Sequence, residues 1–126
     1  MKKKILVVED DPVNATMIFD YLSSQGYDVA IVMNGEDAVT KSQSLAPDLM
    51  IVDVQLPKKN GFNVCQEVNR LSGNAIPILV MSAIYNDETA RAFVENDLRA
   101  AGFLRKPFKL KELLQRVRAV FNPDEA

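Results

Sequence analysis

Four short, mostly apolar runs in this chain each lead into a charged or hydroxyl side chain, and this pattern constrains the fold more than any other feature. Residues 5–8 lead into Glu9 and Asp10, 49–52 into Asp53, 78–81 into Ser82, and 103–105 into Lys106. Runs that are apolar throughout, such as 49–52, are typical of parallel strands covered on both faces. If the four runs are neighbouring parallel strands, the polar residues that follow them meet at one edge of one sheet.

Segments with helical periodicity separate these runs. Asp11 and Pro12 predict the start of a first helix, because Asp caps helices and Pro suits their first turn. Val13, Met17, Tyr21 and Leu22 then recur at helical spacing. A short strand is predicted over 28–33, and further helices are predicted over about 36–45, 61–71, 87–101 and 110–121.

Strands that alternate with helices predict right-handed crossovers and a parallel sheet with helices on both faces. We expect one domain over residues 1–126, with a core at about 3–121 and a short tail at 122–126. The best fit is the α/β flavodoxin-like (βα)5 fold, with five parallel strands in the order 2-1-3-4-5. Ligands bind such sheets between the first and third strands, at their carboxyl ends, where Asp10 and Asp53 are expected.

Composition excludes several kinds of site. The chain has no histidine and one cysteine, Cys65, which excludes Ser-His catalysis, histidine or multi-cysteine zinc sites, and phosphohistidine on this chain. The formal net charge of −2 argues neither for nor against nucleic acid binding. No apolar run approaches the roughly 20 residues that a membrane helix needs. We expect no signal peptide and a reducing, cytoplasmic location.

The remaining chemistry is that of carboxylates, which suit hard cations such as Mg²⁺. Asp53 is central in the expected cluster and is predicted to be a nucleophile that carries a phosphoryl group as an acyl phosphate. Glu9 and Asp10 are expected to hold the metal, Lys106 to pair with Asp53 at rest, and Ser82 to donate its hydroxyl to a phosphate oxygen. Crowded carboxylates repel, so at least one should have a raised pKa unless a cation is bound.

Several motifs occur in a fixed order along the chain. They are VVEDD at 7–11, IVDVQLP at 51–57 followed by Gly61, MSA at 81–83 and KPF at 106–108. In this order, which spans Lys3 to Phe121, the set resembles the receiver domains of two-component response regulators, the CheY-like family. With no output domain in these 126 residues, the resemblance is to the stand-alone type.

The resemblance implies specific roles at the site. Asp53 would be phosphorylated by a histidine kinase or a histidine phosphotransfer protein, with no other substrate turned over. Mg²⁺ would be bound by Glu9, Asp10, Asp53 and the backbone carbonyl of Gln55. The protein would act in a phosphorelay as a signalling phosphoprotein rather than as an enzyme.

The resemblance also implies a switch. Ser82 would move toward the phosphate, Phe103 fills the family's aromatic switch position, and a cis peptide is expected between Lys106 and Pro107. Phe103 has an alternative interpretation as an ordinary buried strand aromatic. The signal would pass to a downstream effector protein through the face of the fourth helix, fifth strand and fifth helix, without direct contact to nucleic acid or membrane.

Two alternatives remain open. The first is a receiver-like interaction module that signals without phosphorylation, which is kept open because Arg99 stands where the family usually has a glycine. The second is a small Mg²⁺-dependent phosphatase working through an aspartyl phosphate. Such enzymes need a second acid near the nucleophile, but Gln55 stands two residues after Asp53, and the chain has no cap segment.

Overall fold

The computed structural model describes residues 2–56, 60–83 and 101–122. These residues form five strands and four helices, which alternate along the chain as predicted except between the fourth and fifth strands, where the predicted helix lies outside the described residues. In chain order they are β1 (Lys4–Val8), α1 (Pro12–Ser24), β2 (Asp28–Val32), α2 (Gly35–Leu45), β3 (Leu49–Asp53), α3 (Gly61–Ser72), β4 (Ile78–Ser82), β5 (Gly102–Arg105) and α4 (Leu110–Phe121).

The five strands form one parallel sheet in the order β2-β1-β3-β4-β5, which confirms the predicted fold class. The register aligns the carboxyl ends of the strands. Val8 pairs with Val52, Asp53 with Met81, and Ser82 with Arg105. The residues that follow the strands therefore lie at a common edge.

Two hydrophobic clusters cover the two faces of the sheet. One includes Leu6, Met50 and Val80 with the inward side chains of α2 and α3, and the other includes Ile5, Ile51 and Leu79 with those of α1 and α4. Residues of both clusters come from the same strands, which explains why β3 is buried along its whole length. A strand enclosed in this way holds its last residue at a fixed position.

Helix α1 begins as predicted, but only the second half of its predicted apolar stripe faces the core: Leu22 is buried and Tyr21 half-buried. The Asp11 side chain caps it by accepting from the Val13 N–H at 3.1 Å. The buried residues of the helix are Ala15, Ile18 and Leu22, whereas Val13 and Met17, which carried the predicted helical spacing, are exposed. The position of the sheet selects the inward face of the helix.

The predicted second strand also differs in burial. Its sequence alternates, but Val29, Ala30, Ile31 and Val32 are all half-buried rather than alternately buried and exposed. Strand β2 lies at the edge of the sheet, so both of its faces are only partly covered.

Some predicted features lie outside the described residues. These are most of the helix predicted over 87–101, the atypical residue Arg99 and the end of the proposed tail. The label α4 therefore denotes the helix predicted as the fifth. Among the described helices, none has the length and apolar character needed to cross a membrane.

Candidate functional site

The sheet brings the predicted polar residues together at its carboxyl edge. Glu9 directly follows β1, Asp53 and Ser82 end β3 and β4, and Lys106 follows β5. Glu9 is 1% exposed, Asp53 4% and Ser82 0%, while Asp10 is exposed beside them. Buried polar residues in adjacent strand ends form a single site that is open to solvent on the Asp10 side.

The Asp53 carboxylate is held by two donors. Lys106 Nζ donates to Asp53 Oδ2 at 2.6 Å, and the Gln55 N–H donates to Oδ1 at 2.9 Å. The structure thus pairs Lys106 with Asp53, as the sequence predicted. Each oxygen of the carboxylate thus accepts one hydrogen bond at the end of β3. These two bonds fix the orientation of the carboxylate.

Glu9 shares the same ammonium group. Lys106 Nζ donates to Glu9 Oε2 at 2.8 Å, and the Asp11 N–H donates to Oε1 at 3.3 Å. Burial raises the pKa of Glu9; the hydrogen bond from Lys106 opposes this shift, and the nearby charge of Asp53 adds to it. Glu9 is thus a crowded carboxylate with a raised pKa, as the sequence predicted for at least one member of the cluster.

The charge of Lys106 is supported by both carboxylates. Burial by itself would lower the pKa of Lys106, but hydrogen bonds and charge interactions with Asp53 and Glu9 outweigh that effect and raise the pKa. Lys106 is therefore a permanently charged counterion at neutral pH, and it offsets part of the repulsion between the two buried acids.

Three carboxylates could share one cation. Glu9, Asp10 and Asp53 each offer an oxygen, and these atoms all lie within 4.8 Å of one another. A set of carboxylate oxygens suits a hard divalent ion of the Mg²⁺ type. The donor set of this chain therefore fits the metal that the sequence predicted.

The remaining predicted residues are placed as follows. Ser82 is fully buried at the end of β4, and its backbone carbonyl accepts from the Lys106 N–H at 2.8 Å. Phe103 is 4% exposed in the cluster with α2 and α3. The peptide between Lys106 and Pro107 is cis, which confirms that prediction.

Comparison with known proteins decides the family. The sequence model of the response regulator receiver domain matches residues 5–118 of the 126. The chain belongs to this family. Response regulator receiver domains are signalling components of two-component systems rather than enzymes with separate substrates, and they bind Mg²⁺ at an acidic pocket.

Individual relatives agree with this assignment. The receiver domain is 38% identical to the DNA-binding response regulator MtrA of Mycolicibacterium smegmatis over 125 residues, which cover 99% of this chain and 53% of MtrA. It spans about half the length of the curated relatives it matches.

Solved structures show the same architecture. The non-phosphorylated HemR receiver domain of Leptospira biflexa has a TM-score of 0.84 and 32% identity, with 96% of this chain and 95% of that chain covered. A CheY-like receiver domain protein of Methanospirillum hungatei has a TM-score of 0.88 at 21% identity, covering 99% of this chain and 98% of that chain. The second likeness concerns the fold alone.

The sequence interpretation missed two features of the receiver domain. It paired Lys106 with Asp53 but not with Glu9, although the two acids were predicted to be neighbours. It also gave no role to a groove of about 400 Å³ beside Lys106, between α1 and the segment that joins β5 to α4. The groove is lined by Asn14, Met17, Ile18, Ala83, Lys106, Pro107, Phe108 and Leu110. The KPF motif, continued by Leu110, was the available signal, because it places apolar residues directly after the lysine.

Proposed function

We propose that this receiver domain accepts a phosphoryl group on Asp53 from a histidine kinase or histidine phosphotransfer protein. The observation that carries the proposal is the buried Asp53 carboxylate, held at 2.6 Å by Lys106 and at 2.9 Å by the Gln55 N–H, next to Glu9. A carboxylate fixed in this way has little freedom to lose before it attacks phosphorus.

Asp53 supplies the nucleophile and Lys106 the fixed positive charge. An oxygen of Asp53 forms the bond to phosphorus while the bond between phosphorus and the donor imidazole breaks, and the imidazole leaves with the bonding electron pair and takes up a proton. Lys106 transfers one of its hydrogen bonds from the carboxylate to a phosphoryl oxygen. The main effects are positioning and charge neutralisation, as is general for phosphoryl transfer. These 126 residues contain no histidine, so the donor group lies outside them.

The proposed cation ligands are Glu9, Asp10, Asp53 and the backbone carbonyl of Gln55. The spacing of the three carboxylates, within 4.8 Å of one another, supports this set. Bound Mg²⁺ would neutralise charge on the transferred phosphoryl oxygens. Glu9 and Asp53 are already oriented by Lys106 and by backbone N–H groups, so cation binding would need little rearrangement of either side chain.

A groove beside the site could bind the surface of the donor protein. The groove between α1 and the β5–α4 segment borders Lys106 and is lined in part by Met17, which is 47% exposed, and by Phe108. Met17 is exposed and Phe108 half-buried, and apolar surface next to a reacting group is typical of protein-binding surfaces. These two side chains support a protein donor over a small phosphate ester and weigh against the phosphatase alternative.

The output is proposed to run through Ser82 and Phe103. The Ser82 hydroxyl would move to a phosphoryl oxygen. The Phe103 side chain would change its packing in response. The signalling face would include β5 and α4, and its partner would be a downstream effector protein. MtrA is named as a DNA-binding regulator, but its length is about twice that of this chain. For this chain, the absence of direct nucleic acid contact stays a prediction. The single-domain and cytoplasmic assignments also stay predictions.

The deciding experiment is phosphorylation from a small donor. The protein is incubated with Mg²⁺ and acetyl phosphate and its intact mass is measured, with Asp53→Asn in parallel. A Mg²⁺-dependent gain of one phosphoryl group that Asp53→Asn lacks is the expected result. No gain under any condition would contradict the proposal and favour the phosphorylation-independent module. Continuous turnover of a generic phosphate ester would favour the phosphatase.

A further inference from the structure

Gly61, the first residue of α3, lies against the peptide group that joins Asp53 to Val54. A Cβ at residue 61 would overlap the carbonyl oxygen of Asp53 and the Cα of Val54. The Gly61 N–H also donates to the Val54 carbonyl at 3.0 Å. Glycine, which has no Cβ, permits this approach of two backbone segments.

Neither side of this contact can yield easily. On the strand side, the Val54 N–H donates to the Met81 carbonyl at 3.1 Å, and β3 is held between β1 and β4. On the helix side, Val64, Cys65 and Val68 are fully buried against the sheet. A side chain at residue 61 would therefore push on the backbone at the end of β3, which carries Asp53.

A shift of this backbone would also move Gln55, which orients the Asp53 carboxylate. The Gln55 N–H holds Asp53 Oδ1, and Gln55 is the residue whose carbonyl is a proposed cation ligand. We infer that Gly61 is a positioning residue: its close contact with the Asp53–Val54 peptide group sets the position of the phosphoacceptor carboxylate and of Gln55, although Gly61 provides no ligand. The inference rests on the proposed function of the same site.

The test compares Gly61→Ala with two matched variants. Gly102→Ala adds the same methyl group at the start of β5, where it meets only the end of the flexible Leu79 side chain, at 3.1 Å. Asn60→Ala removes the side chain that caps α3, whose Oδ1 accepts from the Asn63 N–H at 2.9 Å. It weakens the start of the helix without pushing on Asp53. Each variant is first shown to be folded by circular dichroism.

Two readouts separate positioning from stability. The first is the initial rate of acetyl phosphate labelling, and the second is Mg²⁺ affinity by calorimetry. We expect Gly61→Ala to slow labelling by about tenfold or more, because small misplacements of reacting groups have effects of this size. It should also weaken Mg²⁺ binding, while the two matched variants stay close to the wild type in both. Wild-type rates in Gly61→Ala, or an equal loss in Asn60→Ala, would overturn the inference.

The outcomes distinguish this inference from the proposed function. If the wild type is not labelled, the proposed function fails, and Mg²⁺ affinity alone decides the role of Gly61. If Gly61→Ala does not fold, Mg²⁺ is titrated into the wild type and the amide resonances are followed. A shift of the Gly61 resonance together with that of Gln55 is expected, and a Gly61 resonance that does not respond would overturn the inference.

Discussion

The ammonium group of Lys106 lies 2.6 Å from Asp53 Oδ2, and the same group lies 2.8 Å from Glu9 Oε2. One cation therefore serves both buried carboxylates of the site. The Lys106 side chain is 17% exposed and the two acids are almost fully buried. In this arrangement Lys106 offsets the charge of both acids and fixes the position of the Asp53 carboxylate.

Replacing Lys106 with Met should destabilise the protein. Loss of the shared cation leaves two buried carboxylates without a counterion, and breaking such a buried pair costs about 3 kcal/mol. The free energy of unfolding is measured by urea denaturation with and without Mg²⁺, and Mg²⁺ should restore part of the loss. Lys109→Met removes an exposed lysine three residues further on and serves as the control. Equal losses in the two variants would contradict the counterion role.

Replacing Glu9 with Gln should stabilise the protein in the absence of divalent cations. Because burial raises the pKa of Glu9 above its usual 4.5, the folded state favours the neutral form more than the unfolded chain does. Stability from this preference is present below the unfolded pKa and is lost as pH rises through the folded pKa. Glu9→Gln should therefore gain about 1 kcal/mol at neutral pH, since relieving a buried charge has effects of that order.

The pH dependence provides the check on this prediction. Urea denaturation is carried out in EDTA from about pH 4.5 upward. As pH rises, the free energy of unfolding of the wild type should fall progressively below that of Glu9→Gln, because only the wild type must ionise residue 9. Mg²⁺ should then stabilise the wild type more than the variant. If the difference in free energy of unfolding between the two proteins does not change with pH, ionisation of Glu9 is not its cause.

Cys65 should be unreactive in the folded protein. Burial raises the pKa of its thiol to about 12, and the side chain is fully buried in α3. Because the thiolate is the reacting form, alkylation by iodoacetamide at pH 8 requires unfolding. The extent of alkylation across a urea titration should follow the loss of helical signal. Rapid alkylation in the absence of urea, with full circular dichroism signal retained, would contradict this burial.

Phe103 should contribute to stability whatever its role in switching. It is 4% exposed and belongs to the hydrophobic cluster on the face of the sheet that α2 and α3 cover. Phe103→Ala should therefore cost about 3–5 kcal/mol, as is usual for the removal of a buried aromatic ring. Phe19 on α1, which is 37% exposed, provides the matched control, and thermal or urea denaturation gives the comparison. Similar costs at both positions would show that Phe103 is not packed as described.

Much of the site could be predicted because its residues follow strands. Short runs such as 5–8 and 49–52 are too apolar to lie on a surface, and strands that alternate with helices leave few possible orders in a parallel sheet. Once the order 2-1-3-4-5 is chosen, Glu9, Asp53 and Ser82 must share one edge. Local sequence pattern and general topology were sufficient for this part.

The tertiary structure decided what depends on distances between separate segments. Helical spacing alone could not determine that Val13 and Met17 face outward while Ile18 is buried, because the inward face depends on where the sheet lies. The relative positions of β1, β3 and β5 likewise decide that the Lys106 ammonium group donates to both Asp53 and Glu9. The close approach of Gly61 to the end of β3 is also decided by the tertiary structure. A sequence records the order of residues along the chain, whereas hydrogen bonds and steric contacts depend on separations of a few ångströms that arise only when the chain packs.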